Sequence, residues 1–164
     1  MKRIFIAALS ALLLASCAQN VQETGPSVAS KRIIASPDAP AAVGPYSQAV
    51  YAGGTLYVSG QLPVDPKTGE MPTSVAEQTR QSLTNIGVIL KEAGLDFSDV
   101  VKATVYLTDM GTFSEMNAVY AEFFTKDMPA RVCCEVAALP KGASVEIDAI
   151  VCYTNSEPVD MAGE

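Results

Sequence analysis

Histidine is absent from all 164 residues of the chain. Its absence excludes histidine-based triads, most zinc sites and the usual general base at neutral pH. Any catalysis must therefore run on carboxylates, arginine, hydroxyls, thiols or water. Cationic side chains are scarce as well: 11 Lys and Arg stand against 18 Asp and Glu, a formal charge of −7. Nucleic acid is bound chiefly by Lys and Arg on phosphates, so no nucleic-acid partner is expected. The four cysteines include no CxxC pair, and Cys133 and Cys134 are adjacent, so they do not read as a disulfide framework. No apolar run reaches the roughly 20 residues that a membrane-spanning helix needs.

The longest apolar run is Ile4 to Ala15, behind the basic pair Lys2 and Arg3. It has the length of a signal-peptide h-region. It ends in Leu14-Ala15-Ser16-Cys17, which resembles the lipobox of bacterial lipoprotein precursors. That resemblance implies cleavage between Ser16 and Cys17 and a lipid on the Cys17 thiol. The chain is then expected to be exported and anchored by lipid to a bacterial membrane, facing the periplasm or the exterior. Loss of Lys2 and Arg3 with the leader makes the mature chain two charges more acidic still. The organisation expected is a leader at 1–16, a polar tether at 17–30, one domain at 31–153 and an acidic tail at 154–164.

Within the domain, strand patterns cover Arg32 to Ala35, Ser47 to Tyr51 and, after the Gly53-Gly54 turn, Thr55 to Ser59. Ser74-Val75-Ala76-Glu77 reads as a capping box. The helix behind it places Leu83, Ile86, Leu90 and Ala93 on one stripe and stops at Gly94. Val100 to Leu107 reads as a strand. A second capping box, Thr112 to Glu115, is expected to open a helix to about Phe124, with Met116, Tyr120 and Phe123/Phe124 towards the sheet. Strands at Arg131 to Val136 and Ser144 to Tyr153 follow, joined by the Leu139-Pro140-Lys141-Gly142 turn. The order β-β-β-α-β-α-β-β predicts an α+β domain with two helices on one face of a single sheet. The uncovered face is then expected to be buried by self-association.

Strand alternation divides the last two strands into faces. Val132, Cys134 and Val136 are apolar and suit the helical side, with Cys134 as a small core residue. Arg131, Cys133 and Glu135 form the other set. On the last strand Val145, Ile147, Ala149 and Val151 alternate with Glu146, Asp148, Ile150 and Cys152. Arg131 and Glu146 are accordingly expected together on the face without helices, with Cys133 and Cys152. Such a pair suits a carboxylate-binding guanidinium beside an acid or base. It equally suits an ordinary cross-strand ion pair worth under roughly 1 kcal/mol when exposed.

Five blocks stand in order: Gly44-Pro45-Tyr46-Ser47-Gln48-Ala49, Ser59-Gly60-Gln61-Leu62-Pro63, Asn117-Ala118-Val119-Tyr120, Pro129-Ala130-Arg131, and Leu139-Pro140-Lys141-Gly142 followed by Val145-Glu146-Ile147. Together they closely resemble the Rid (YjgF/RidA, reactive intermediate deaminase) family over about residues 32 to 152. The resemblance implies a chorismate-mutase-like α+β fold and a homotrimer with active sites in clefts between subunits. It implies hydrolysis of 2-imino or enamino acids to 2-keto acids and ammonia, with no metal and no cofactor. By the same resemblance Arg131 holds the substrate carboxylate and Glu146 positions a water, assisted by the backbone carbonyl of Cys133. Tyr46, Ser59, Gly60 and Asn117 would line the cleft. Imines already hydrolyse in water, so fixing the substrate, orienting a water and handling one proton suffice. A trimeric small-carboxylate binder without catalysis is the alternative. Members described as endoribonucleases are a poor guide for so acidic an exported chain.

Overall fold

A computed structural model describes residues 31–153. The expected leader at 1–16, Cys17 with the rest of the tether to 30, and the tail at 154–164 lie outside the described residues. Within them the chain forms β1 (Arg32–Ile34), β2 (Ala49–Ala52), β3 (Thr55–Gln61), α1 (Val75–Glu92), β4 (Val100–Leu107), α2 (Phe113–Phe123), β5 (Ala130–Glu135) and β6 (Val145–Cys152). This is the element order the sequence predicts.

The local chemistry explains most boundaries. Gly53 and Gly54, both at positive φ, turn β2 back onto β3. The Ser74 hydroxyl accepts the Glu77 N–H at 3.2 Å, and Gly94 at φ 75° ends the helix. The second capping box does not form. Thr112 makes no side-chain cap, its hydroxyl donating instead to the Asp109 carbonyl, while Glu115 accepts from the Ala76 N–H of α1 at 2.9 Å. Glu115 thus ties the two helix starts together rather than closing its own.

The strands form one sheet in the order β1-β2-β3-β6-β4-β5. The β4–β5 pair is parallel and every other pair antiparallel. A parallel pair needs a crossover, which α2 supplies. Val145, Ile147, Ala149 and Val151 of β6 are buried, and they join Leu83, Ile86 and Leu90 of α1 and Met116 of α2 in one core. Each such large apolar side chain contributes about 1.5–3 kcal/mol by leaving water. Among the described residues no helix covers the opposite face. That face carries Ile33, Tyr57 and Val132, which remain 50%, 49% and 47% exposed.

Two expectations about β5 are overturned. First, β5 does not pair with β6, because β4 lies between them. Second, its faces are reversed. Arg131, Cys133 and Glu135 pair with Ala103, Val105 and Leu107, which are buried on the helical side. Val132 and Cys134 lie on the helix-free face, so Cys134 is not a core residue. Hydropathy assigned the apolar set to the core, but the helix-free face also carries apolar side chains, among them Ile33, Tyr57 and Ile150, so polarity did not discriminate between the two sides. Cys152 lies on the helix-free face and Cys133 on the other, so these thiols do not share a side.

Candidate active site

The residues singled out in the sequence fall into two groups. The first surrounds Arg131 at the β5 edge. Its cross-strand neighbour on β4 is the small Ala103, which leaves room for a long side chain on the helical side. The guanidinium carbon lies 4.5 Å from the ring centre of Tyr120 and 5.7 Å from that of Phe113, both on α2. Asn117 is half-buried and occupies the same helical stripe, four residues after Phe113 and three before Tyr120. Among the described residues no carboxylate lies within ion-pair distance of Arg131; the ion pairs there are Arg80–Glu122 and Lys126–Asp127. Burial pushes the Tyr120 hydroxyl up to about 12, against the opposing pull of Arg131. Burial also raises the Cys133 thiol, with Arg131 again opposing and Cys134 adding to the rise. A thiol held protonated is a poor nucleophile.

The backbone of Cys133 is more informative than its sulfur. Val136 donates its N–H to the Leu107 carbonyl at 2.8 Å, so its backbone faces β4. By strand alternation the groups of Val132 and Cys134 also face β4, and the Cys133 carbonyl turns off the free edge. That edge has no further strand among the described residues.

The second group gathers where β3 meets β6. The register slips between Val58 and Gln61, and the bulge holds Ser59 and Gly60. Gly60 lies so close to Glu146 that a Cβ there would overlap Glu146 Oε1 and stand 2.9 Å from its Cδ. Glycine is therefore required for the carboxylate to rest where it does. Burial first, and then the neighbouring charge of Asp148, raises the Glu146 carboxyl above the ordinary glutamate range. Asp148 in turn accepts a hydrogen bond from the Tyr106 hydroxyl at 3.0 Å. The Ser59 hydroxyl donates to the Ser47 carbonyl at 2.7 Å, which fixes the segment leading from Tyr46. A cleft of about 250 Å³ opens beside Gly60, lined also by Tyr46, Gln61, Asp65 and Lys141. Tyr46 is half exposed at its mouth, its hydroxyl accepting the Val43 N–H at 3.3 Å.

Two buried amides that the sequence reading did not single out build the cleft walls. Gln48 accepts the Ser36 N–H and donates to the Ala39 and Pro40 carbonyls. Asn85 donates to the Leu62 and Val64 carbonyls at 3.0 Å each. The Phe113–Tyr120 contact with Arg131 was also missed, although the i, i+4, i+7 stripe of Phe113, Asn117 and Tyr120 is visible in the sequence.

Arg131, Cys133 and Asn117 thus form one group, and Tyr46, Ser59, Gly60 and Glu146 another. Arg131 projects on the helical side of the sheet, whereas Glu146 projects on the helix-free side. Within one subunit, Arg131 and Glu146 do not converge on a common ligand.

Comparison with known proteins places these features in a family. The model of the family described as Endoribonuclease L-PSP matches residues 36–153. The chain is 56% identical over 121 residues to the Bos taurus 2-iminobutanoate/2-iminopropanoate deaminase, covering 73% of this chain and 88% of that protein. It is 51% identical over 122 residues to the Escherichia coli protein of the same name, covering 73% and 95%. The crystal structure of the Escherichia coli YjgF gene product superimposes with a TM-score of 0.71 at 49% identity, covering 74% of this chain and 98% of that one. Escherichia coli TdcF with bound serine gives 0.72 at 44% identity, covering 75% and 99%.

Proposed function

The chain belongs to the Endoribonuclease L-PSP family, and from that premise we propose that it hydrolyses small 2-imino acids to 2-keto acids and ammonia at a site built from two subunits of a homotrimer. The observation that carries this reading is the half-buried Arg131 guanidinium, oriented by aromatic rings and without a carboxylate partner among the described residues. A guanidinium in that setting suits a ligand carboxylate, bound through two parallel hydrogen bonds. The deaminase names of the relatives supply the reaction class. Serine bound to TdcF is consistent with a small amino-acid-like ligand.

In the proposed reaction Arg131 fixes the carboxylate, with Asn117 and the free Cys133 carbonyl beside it. Glu146, contributed by the neighbouring subunit with Tyr46, Ser59 and Gly60, accepts a proton from a water as its oxygen bonds to the imine carbon. The C=N π pair moves to nitrogen, which takes up the proton. Glu146 then takes the hydroxyl proton and passes it to that nitrogen as the C–N bond breaks, so that ammonia leaves, the keto group is complete and the carboxylate is restored. Such positioning is worth several kcal/mol of barrier without a strong base. A raised Glu146 carboxyl suits a group that both accepts and returns a proton.

Export and lipid anchoring at Cys17 are part of the same proposal, supported by Lys2 to Cys17 of the sequence. They would place the enzyme apart from cytoplasmic sources of imine, beside membrane-associated amino-acid oxidation. Cys17→Ser should move the protein from the detergent-extracted membrane fraction to the soluble one. Processed wild-type protein in the cytoplasm, with no lipid on Cys17, would contradict this part.

The catalytic test uses the domain at 31–153 with imine generated in situ from an amino acid by an oxidase. Faster keto-acid release than in buffer is expected, abolished by Arg131→Ala and impaired by Glu146→Gln. Binding of 2-ketobutyrate without rate enhancement would make the protein a carboxylate binder instead. Release unaffected by Arg131→Ala would sink both readings.

A further inference from the structure

Arg131 owes its position to two rings, and both lie on one helix. Phe113 and Tyr120 are seven residues apart on α2, about 10 Å along its axis. The guanidinium carbon is within 6 Å of both ring centres, so it lies over the stretch of helix between them. The Tyr120 ring is anchored from behind: it stacks on Phe124 with centres 4.4 Å apart and planes at 23°, and Phe124 meets Phe97 edge-on at 5.1 Å. Tyr120 is 6% exposed, and its hydroxyl is buried without a hydrogen-bond partner. Leaving a hydroxyl unpaired is unfavourable, so the hydroxyl does not account for the ring's placement. The ring's contacts do. The start of α2 is fixed as well, because Glu135 at the end of β5 accepts the Met110 N–H at 2.7 Å.

We propose that Phe113 and Tyr120 are positioning residues for the reaction, an aromatic clamp that holds the Arg131 guanidinium by its faces and presents its N–H edges to the substrate carboxylate. The inference rests on the assignment of Arg131 as the carboxylate anchor. Stacking occupies the faces of the planar group, whereas paired hydrogen bonds to a carboxylate run along its edge, so the two interactions do not compete. A flexible, solvated arginine would have to be ordered by each substrate molecule that binds, and the clamp removes that cost beforehand.

The test measures KM and kcat for imine hydrolysis, with the dissociation constant of 2-ketobutyrate, in wild type and in Phe113→Leu, Tyr120→Leu, Tyr120→Phe and Arg131→Ala. Each leucine variant should raise KM and the dissociation constant about three- to tenfold while kcat stays within about twofold. Tyr120→Phe keeps the ring and should restore wild-type KM, with stability equal or higher. A purely structural role would lower the active fraction, and hence the maximal rate, without moving KM. Unchanged KM in a folded Phe113→Leu and Tyr120→Leu would overturn the clamp. If Tyr120→Leu fails to fold, Phe113→Leu decides alone. Wild-type KM and kcat in Arg131→Ala would instead remove the anchor assignment, a result distinct from failure of the clamp.

Discussion

At the scale of single residues, Glu146 carries a pH prediction. Its carboxyl is raised by burial and by Asp148, and it must be ionised to accept a proton from water. The enzymatic rate, corrected for spontaneous hydrolysis, should therefore fall on the acid side with an apparent pKa above the ordinary glutamate value. Asp148→Asn removes a negative charge that opposes ionisation, so the acid limb should move to lower pH. An unmoved limb in that variant would detach Asp148 from the control of Glu146. Gly60→Ala drives a methyl into the Glu146 carboxylate and should cost about 10²-fold in kcat/KM while circular dichroism stays unchanged. Arg131 and Glu146 stand out in the sequence through the five family blocks; alternation put them on one face, whereas the structure puts them on opposite faces. Tyr120 was not legible as Arg131's support. Its helical spacing marks it as core, which it is, and only the folded structure shows that one ring serves both the core and the guanidinium.

Elements were more legible than their faces. The β4 boundaries, the cap of α1 and the two-helix layer follow from β-branched runs, Ser74 and apolar periodicity. The reversed faces of β5 did not follow, because a sheet with one helical layer and an open side that also carries apolar residues offers two places for Val132. The position of β4 between β5 and β6 also escaped, since a short connection favours neighbours but does not compel them. The bulge at Ser59 and Gly60 depends on the register against β6, a contact about 90 residues away in sequence. Loop walls depend on similar long-range links. Asn85→Ala leaves the Leu62 and Val64 carbonyls without their amide donor. It should lower stability in urea unfolding by about 1–3 kcal/mol. A variant as stable as wild type would show that the loop holds its shape without α1.

For the whole molecule, the separation of Arg131 from Glu146 is the decisive feature. Arg131 projects on the helical side at one edge, whereas Glu146 lies on the helix-free face beside Gly60. That face carries Ile33, Tyr57 and Val132, each about half exposed, and a second subunit covering it would supply the missing half of each proposed site. Tyr57→Glu places charge at that contact and should give a monomer in mass photometry with little imine hydrolysis; an active monomer would refute assembly across this face. The most direct test mixes two crippled chains. Arg131→Ala and Glu146→Gln, carrying different affinity tags, are co-expressed and the mixed trimers isolated through both tags. Any mixed trimer of a cyclic assembly contains one junction with an intact Arg131 facing an intact Glu146, so about one site in three should recover. Keto-acid release near a third of the wild-type rate, from parents that are each impaired, is the predicted result. Verified mixed trimers no more active than their parents would contradict a site shared between subunits.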